Sequence, residues 1–189
     1  MSEAKNLPEF RIGDTVVEPT LGICNIEGVR KMTVDGVEEI FFIFEAGNAK
    51  VMVPQSQLPK RGIRRPMTRE EVKKIFTMLK QPVSPSRGDA RTQYLNYREI
   101  LKSGNPQKIT KLLRDLYTLD QSDELKGKEK EIMERAKKFL VDEITFVREA
   151  SKTKTQDEIT ENLRQMYKRK VTKEKEKPAA APAKKPAQQ

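Results

Sequence analysis

The hydrophobic period of this chain changes near residue 65, and few folds accommodate both halves. Before that point apolar residues come in short runs of period two broken by turn residues; after it they recur every three or four residues, as on helix faces. A chain of 189 residues with such a switch divides into two parts, each with a modest core. The fold class expected is α+β: a small, strongly bent sheet or SH3-like barrel followed by a bundle of about five helices. The divisions expected are residues 1–65, 66–170 and a Lys/Ala/Pro-rich tail over 171–189.

In the front part, Thr15-Val16-Val17 reads as a strand that ends at Pro19, which cannot donate to a ladder. Thr20-Leu21-Gly22 turns the chain into a second strand, Ile23 to Met32. Asp35-Gly36 is a hairpin signal before the apolar run Ile40-Phe41-Phe42-Ile43-Phe44. Gly47-Asn48 makes the next turn, and Lys50-Val51-Met52-Val53 alternates. With Val51 and Val53 facing the core, Met52 is left outward beside a sheet edge able to accept a partner strand. A reversed register, or Met52 packed beneath the helical half, satisfies the same sequence. Cys24 lies two before Ile26 on one strand face and reads as a small core residue.

In the rear part, Thr68-Arg69-Glu70-Glu71 is a capping box ahead of the stripe Val72, Ile75, Phe76 and Leu79. A loop with Pro82 and Pro85 follows. Asp89 is placed to cap a second helix through Tyr94, Tyr97 and Leu101, stopping at Gly104. Asn105-Pro106 opens a third, with Ile109, Leu112, Leu113, Leu116 and Tyr117 as its core face. A long fourth helix buries Ile132, Ala136, Leu140, Ile144 and Val147. Thr155-Gln156-Asp157-Glu158 reads as the cap of a fifth, with Ile159, Leu163, Met166 and Tyr167 on its stripe. From Val171 onward the lysine, glutamate, alanine and proline composition cannot bury enough apolar surface to order itself, and the segment reads as a flexible appendage.

Charge and missing residue types bound the chemistry. The chain has no histidine and one cysteine, which removes the usual neutral-pH general base, thiolate metal clusters and any Ser-His-Asp or Cys-His arrangement. No catalytic motif stands in their place, so no cofactor, metal or enzymatic activity is expected; the same absence counts against the remaining alternative, an enzyme that works through carboxylates or lysine. The net charge of +10 is uneven: residues 1–60 carry −3, 61–111 carry +9, 112–163 carry −3 and 164–189 carry +7. An acidic front with a basic middle and tail suits two different partners, the basic segments facing nucleic acid. No apolar run approaches a membrane span and Met1 to Lys5 holds no signal-peptide core, so a cytoplasmic location is expected; a monomer is the oligomeric state expected.

The residues also resemble a known family, the bacterial CarD/CdnL transcription regulators. The resemblance spans Phe10 to Tyr167 and rests on Gly13-Asp14-Thr15-Val16-Val17-Glu18-Pro19 with Gly22, on Val51-Met52-Val53-Pro54 and on Leu113-Arg114-Asp115-Leu116-Tyr117. Gly127-Lys128-Glu129-Lys130 and Arg135-Ala136-Lys137 through Leu140 fit the same pattern. The front motif is shared with the polymerase-binding domain of transcription-repair coupling factor, and the helical half makes the match specific. The resemblance implies a Tudor-like front domain docked on the RNA polymerase β subunit. It implies a helical domain meeting promoter DNA at the upstream edge of the bubble, and stabilisation of the open complex. Met52 and Pro54 match positions associated with the β-subunit contact, and Phe42 lies on the adjacent strand.

On the DNA side the sequence departs from the family pattern. Many members place a tryptophan shortly before the second rear helix, as a minor-groove wedge, followed by paired arginines and a tyrosine. Here Ala90 takes the tryptophan position, Thr92 and Gln93 stand where the arginines would, Tyr94 keeps the tyrosine, and the chain contains no tryptophan. Arg87, Arg91 and Arg98 lie in or beside the same element and can reach phosphates. DNA contact is therefore expected to lean on charge rather than insertion. The alternative is a protein that binds DNA directly through its basic middle and tail, with polymerase secondary.

Overall fold

The computed structural model describes residues 10–83, 85 and 88–176, with backbone alone for Ala90, Glu174 and Glu176. Four antiparallel strands, β1 (Thr15–Glu18), β2 (Gly22–Val34), β3 (Val37–Ala46) and β4 (Ala49–Pro54), form one sheet in the order β1-β2-β3-β4. With β1 and β4 on opposite edges the sheet is an open half-barrel; it does not close.

Turn chemistry sets this arrangement. Asp35 and Gly36 both adopt positive φ, 51° and 80°, the requirement of a type I′ hairpin joining Val34 to Val37. A bulge between Ile26 and Gly28 bends β2 across β3 and lets the sheet curl over its own side chains. Inside the curl lie Phe10, Val16, Cys24, Ile26, Phe42, Phe44, Val53, Leu58 and Ile63. Glu18 is buried at the end of β1, where its carboxylate accepts the Thr20 and Leu21 N–H groups and pairs with Arg61 at 3.0 Å. Satisfied this way, it shapes the β1–β2 turn instead of destabilising the core.

Five helices follow: α1 (Arg69–Leu79), α2 (Ala90–Lys102), α3 (Pro106–Gln121), α4 (Gly127–Arg148) and α5 (Lys152–Glu176). The capping box of α1 forms as expected, Thr68 accepting from the Glu71 N–H while Glu71 accepts from the Thr68 N–H. That backbone bond is the leading cause holding the Glu71 carboxyl below its ordinary range. Asp89 caps α2 through the Thr92 N–H, and Asn105 caps α3 through the Gln107 and Lys108 N–H groups with Pro106 at the first helical position. Ile75, Leu79, Ile109, Leu113, Ala136, Leu140, Ile144, Ile159, Leu163 and Met166 form the main bundle core. Tyr97, Leu112, Leu116 and Ile132 form a second cluster beneath α2.

Two expectations at α5 change. The helix begins at Lys152, and Thr155 lies inside it, fully buried, with its N–H and hydroxyl both bonded to the Ser151 carbonyl. The left-handed Glu149, φ 51°, ends α4, and two residues on, the Ser151 carbonyl already accepts the first backbone bond of the next helix. At the other end α5 runs to Glu176, six residues into the segment expected to be a disordered tail. Lysine and glutamate are good helix formers, and nothing before Pro178 interrupts them. Residues 177–189 lie outside those described. Among the described residues no helix is long and apolar enough to cross a membrane.

Candidate functional site

Two surfaces stand out, and they are built from different elements. On the sheet, β1 has its outer side occupied, because Val17 and Arg64 exchange N–H···O bonds of 2.8 and 3.2 Å. β4 has β3 on one side and no strand on the other among the described residues. The two-residue turn Gly47-Asn48 closes on the pair Ala46 and Ala49. Alternation from that pair directs the backbone N–H and C=O of Lys50 and Met52 away from β3, with Pro54 offering a carbonyl alone.

The same residues carry the outward side chains. Met52 is 41% exposed opposite Ile43, while Val53 behind it is fully buried, so the outward register of the two expected holds. Ile43 and Met52 floor a shallow groove with Gly28, whose missing side chain leaves Ile43 uncovered. Lys50 bonds Glu27 at 2.6 Å at the groove's end, and that bond is the leading cause raising the ammonium above its ordinary range. Both partners are about half exposed, so the pair orients the rim more than it stabilises the fold.

Phe42 does not belong to this surface. It pairs with Val53, is 6% exposed and stacks on Phe44 with ring centroids 6.3 Å apart, which makes it a core residue of the sheet module. The sequence holds the signal that decides this: a two-residue turn at 47–48 fixes 42 opposite 53 and 43 opposite 52. The outward residue missed on β3 is Ile43. Pro54 ends β4, half-buried, opposite Phe41.

The second surface is α2. Arg91, Leu95 and Arg98 follow at i, i+4 and i+7, all exposed, with Leu95 52% exposed between the two guanidinium groups. Neither arginine has an acidic partner among the described residues, whereas Arg61, Arg64, Arg65, Lys73 and Lys102 are all tied to carboxylates. The basic middle of the sequence is thus split between side chains paired with carboxylates and side chains with no acidic partner among the described residues. Leu95 was not among the residues the sequence singled out; its spacing from Arg91 and Arg98 was the available signal. Tyr94 is half-buried and packs on the cluster beneath α2, so it supports the helix as well as flanking the stripe. Ala90 is the first residue of α2, directly after the Asp89 cap. Arg87 lies outside the described residues.

Comparison with known proteins agrees with the two-part architecture. Residues 10–67 match the CarD-like/TRCF RID domain, and residues 74–160 match the CarD C-terminal domain. A Bacillus subtilis (strain 168) protein, "Putative transcription factor YdeB", is 23% identical over 141 residues, covering 74% of this chain and 92% of the relative. The sheet module and the bundle each match their own half of one family, in the family's order. The chain belongs to the CarD/CdnL family of transcription regulators that interact with RNA polymerase.

Proposed function

We propose that this protein docks on the RNA polymerase β subunit through the outer side of β4 and contacts promoter DNA at the upstream edge of the bubble through α2. Holding both, it lengthens the life of the open complex and catalyses nothing itself. The observation that carries the reading is the unpaired β4 edge, where outward backbone groups and the exposed Met52 side chain fall on the same residues. A partner strand added there gains main-chain hydrogen bonds, with Met52 and Ile43 as adaptable apolar contacts. On α2, Arg91 and Arg98 offer charge to phosphates, and Ala90 stands where a wedge would be. Contact by charge releases counterions, so the log of DNA affinity falls by roughly 0.9 per phosphate neutralised for each unit of log salt.

The test is open-complex lifetime on a promoter that forms unstable complexes, with the full chain. Met52→Asp or Pro54→Ala is expected to abolish both polymerase retention and the lifetime effect. Neutralising Arg91 and Arg98 together is expected to spare polymerase retention and shorten the complex. DNA binding without polymerase that ignores Met52→Asp, together with an unchanged lifetime, would favour a direct DNA-binding protein instead.

A further inference from the structure

We propose that Arg64 and Glu143 are positioning residues, which lock the sheet module to the bundle at one orientation and so fix α2 relative to the β4 edge. The functional half of this inference rests on the two-partner reading above; the structural half does not.

Arg64 lies in the short connection between the modules yet belongs to both. Its backbone pairs with Val17 and extends the β1 edge. Its guanidinium crosses to the bundle, where Nη1 and Nη2 donate to the two carboxylate oxygens of Glu143, each at 2.7 Å. Nε donates to the Gly104 carbonyl at 2.8 Å, Nη1 also donates to the Arg65 carbonyl at 3.0 Å, and the Phe139 ring lies 5.8 Å away. Glu143 is 1% exposed and accepts a third bond from the Met67 N–H at 2.8 Å. A fork-to-fork pair whose Nε and second Nη1 hydrogens are also held by carbonyls has one good geometry, unlike a surface ion pair. A carboxylate this deeply buried cannot lose its partner without heavy cost, so the modules cannot drift apart cheaply.

The backbone around this pair is equally restrictive. Gly62 sits at φ 69° just ahead of Ile63 and Arg64, and a Cβ there would stand 2.7 Å from the Ser103 carbonyl oxygen and 2.9 Å from that of Lys102. Gly104 faces it at φ 61°, and its Cβ would stand 2.7 Å from Pro19 Cγ and 3.0 Å from the Gly62 carbonyl oxygen. Two chain segments meet here with no side chain between them. The bundle side of this seam is the turn at the end of α2, the helix that carries Arg91, Leu95 and Arg98. The sheet side is Gly62, in the connection after β4, together with Pro19, just after β1. Domains joined by a linker usually move relative to each other; this joint has a buried ionic clasp and a glycine seam instead.

The experiment is a distance measurement between spin labels at Asn48→Cys, on the β3–β4 turn, and Glu131→Cys, on α4, in the full chain. Both sites are exposed, and native Cys24 is buried. The protein otherwise unchanged is expected to give one narrow distance distribution. Glu143→Gln, which keeps the volume but loses the charge, and Gly62→Ala, which disturbs the seam without touching charge, are each expected to broaden it while amide spectra of both modules stay folded. Both variants should still retain polymerase but lose about fivefold or more of the open-complex lifetime gain. A narrow distribution in both variants, or a broad one in the parent, overturns the joint. Broadening with an undiminished lifetime overturns its role in transmission. If the parent never lengthens the complex, the proposed function fails, and the distance distributions alone decide the joint.

Discussion

In the sheet module β4 is hydrogen-bonded along one side and, among the described residues, open along the other, whereas in the bundle the helices close their own backbone bonds and Thr68, Asp89 and Asn105 cap the N-termini of α1, α2 and α3. The difference determines how each half can hold a partner. A sheet edge offers main-chain donors and acceptors in fixed register, while a helix face offers only side chains. The two cores differ in the same sense. The sheet curls around nine buried residues, whereas the bundle core is larger and has a second cluster beside it under α2.

The largest effects should fall on the smaller core. Phe44→Ala removes a fully buried ring from the sheet and is expected to cost about 3–5 kcal/mol, enough to unfold that module while the bundle persists. Ile144→Ala removes an equally buried side chain from the bundle at about 2–5 kcal/mol, which the larger core should survive. Urea unfolding followed by amide spectra of both halves checks this. Loss of the sheet signals in Ile144→Ala would mean that the two cores are one cooperative unit.

Next in size is the test of main-chain recognition. Proline is tolerated where an edge strand's N–H faces outward, so Met52→Pro should fold and yet present no donor to an incoming strand. Its polymerase retention is expected to fall by about tenfold or more, further than in Met52→Ala, which keeps the donor. Equal losses would show that the methionine side chain, not the edge, does the holding. On α2 the expectation reverses. Arg91→Ala and Arg98→Ala should each lower the slope of log affinity against log salt by roughly 0.9, while Leu95→Ala weakens DNA binding with the slope unchanged.

What was legible in the sequence follows from the range of the forces involved. Asp35-Gly36, the Thr68 capping box, Asp89 and Asn105-Pro106 act over three or four residues, and each forms as its local chemistry dictates. The outward Met52 needed only strand alternation and a choice of register. Phe42 needs one step more, counting the register across the turn at Gly47-Asn48, which sets it opposite the buried Val53 and inside the core rather than beside Met52. The start of α5 differs from the expected one because Thr155 to Glu158 imitates a cap, while the left-handed end of α4 at Glu149 lets the helix begin earlier. The Arg64–Glu143 clasp joins residues 79 apart, and no local pattern announces it. The net charge of the middle segment therefore overstated the free basic surface, since Arg64 and four other basic side chains there are committed to carboxylates.

The subtlest expected effect uses the one cysteine in the chain, which lies in the sheet, so its chemistry reports on one side of the comparison alone. Cys24 is 1% exposed; burial, with the Glu18 carboxylate as a second cause, pushes its thiol up to about 11 from an ordinary 9.0. The folded state thus holds the proton more tightly than the unfolded chain. The stability this contributes is fully present below pH 9.0 and is lost as pH rises through about 11. Raised pKa and lack of access to the sulfur act in the same direction, so at pH 8 alkylation of the native protein should run about a hundredfold or more slower than that of the unfolded chain. Phe44→Ala should erase that protection by opening the sheet, and Ile144→Ala should leave it in place. If Ile144→Ala accelerates alkylation as much, the Arg64–Glu143 joint couples the stability of the two cores as well as their orientation.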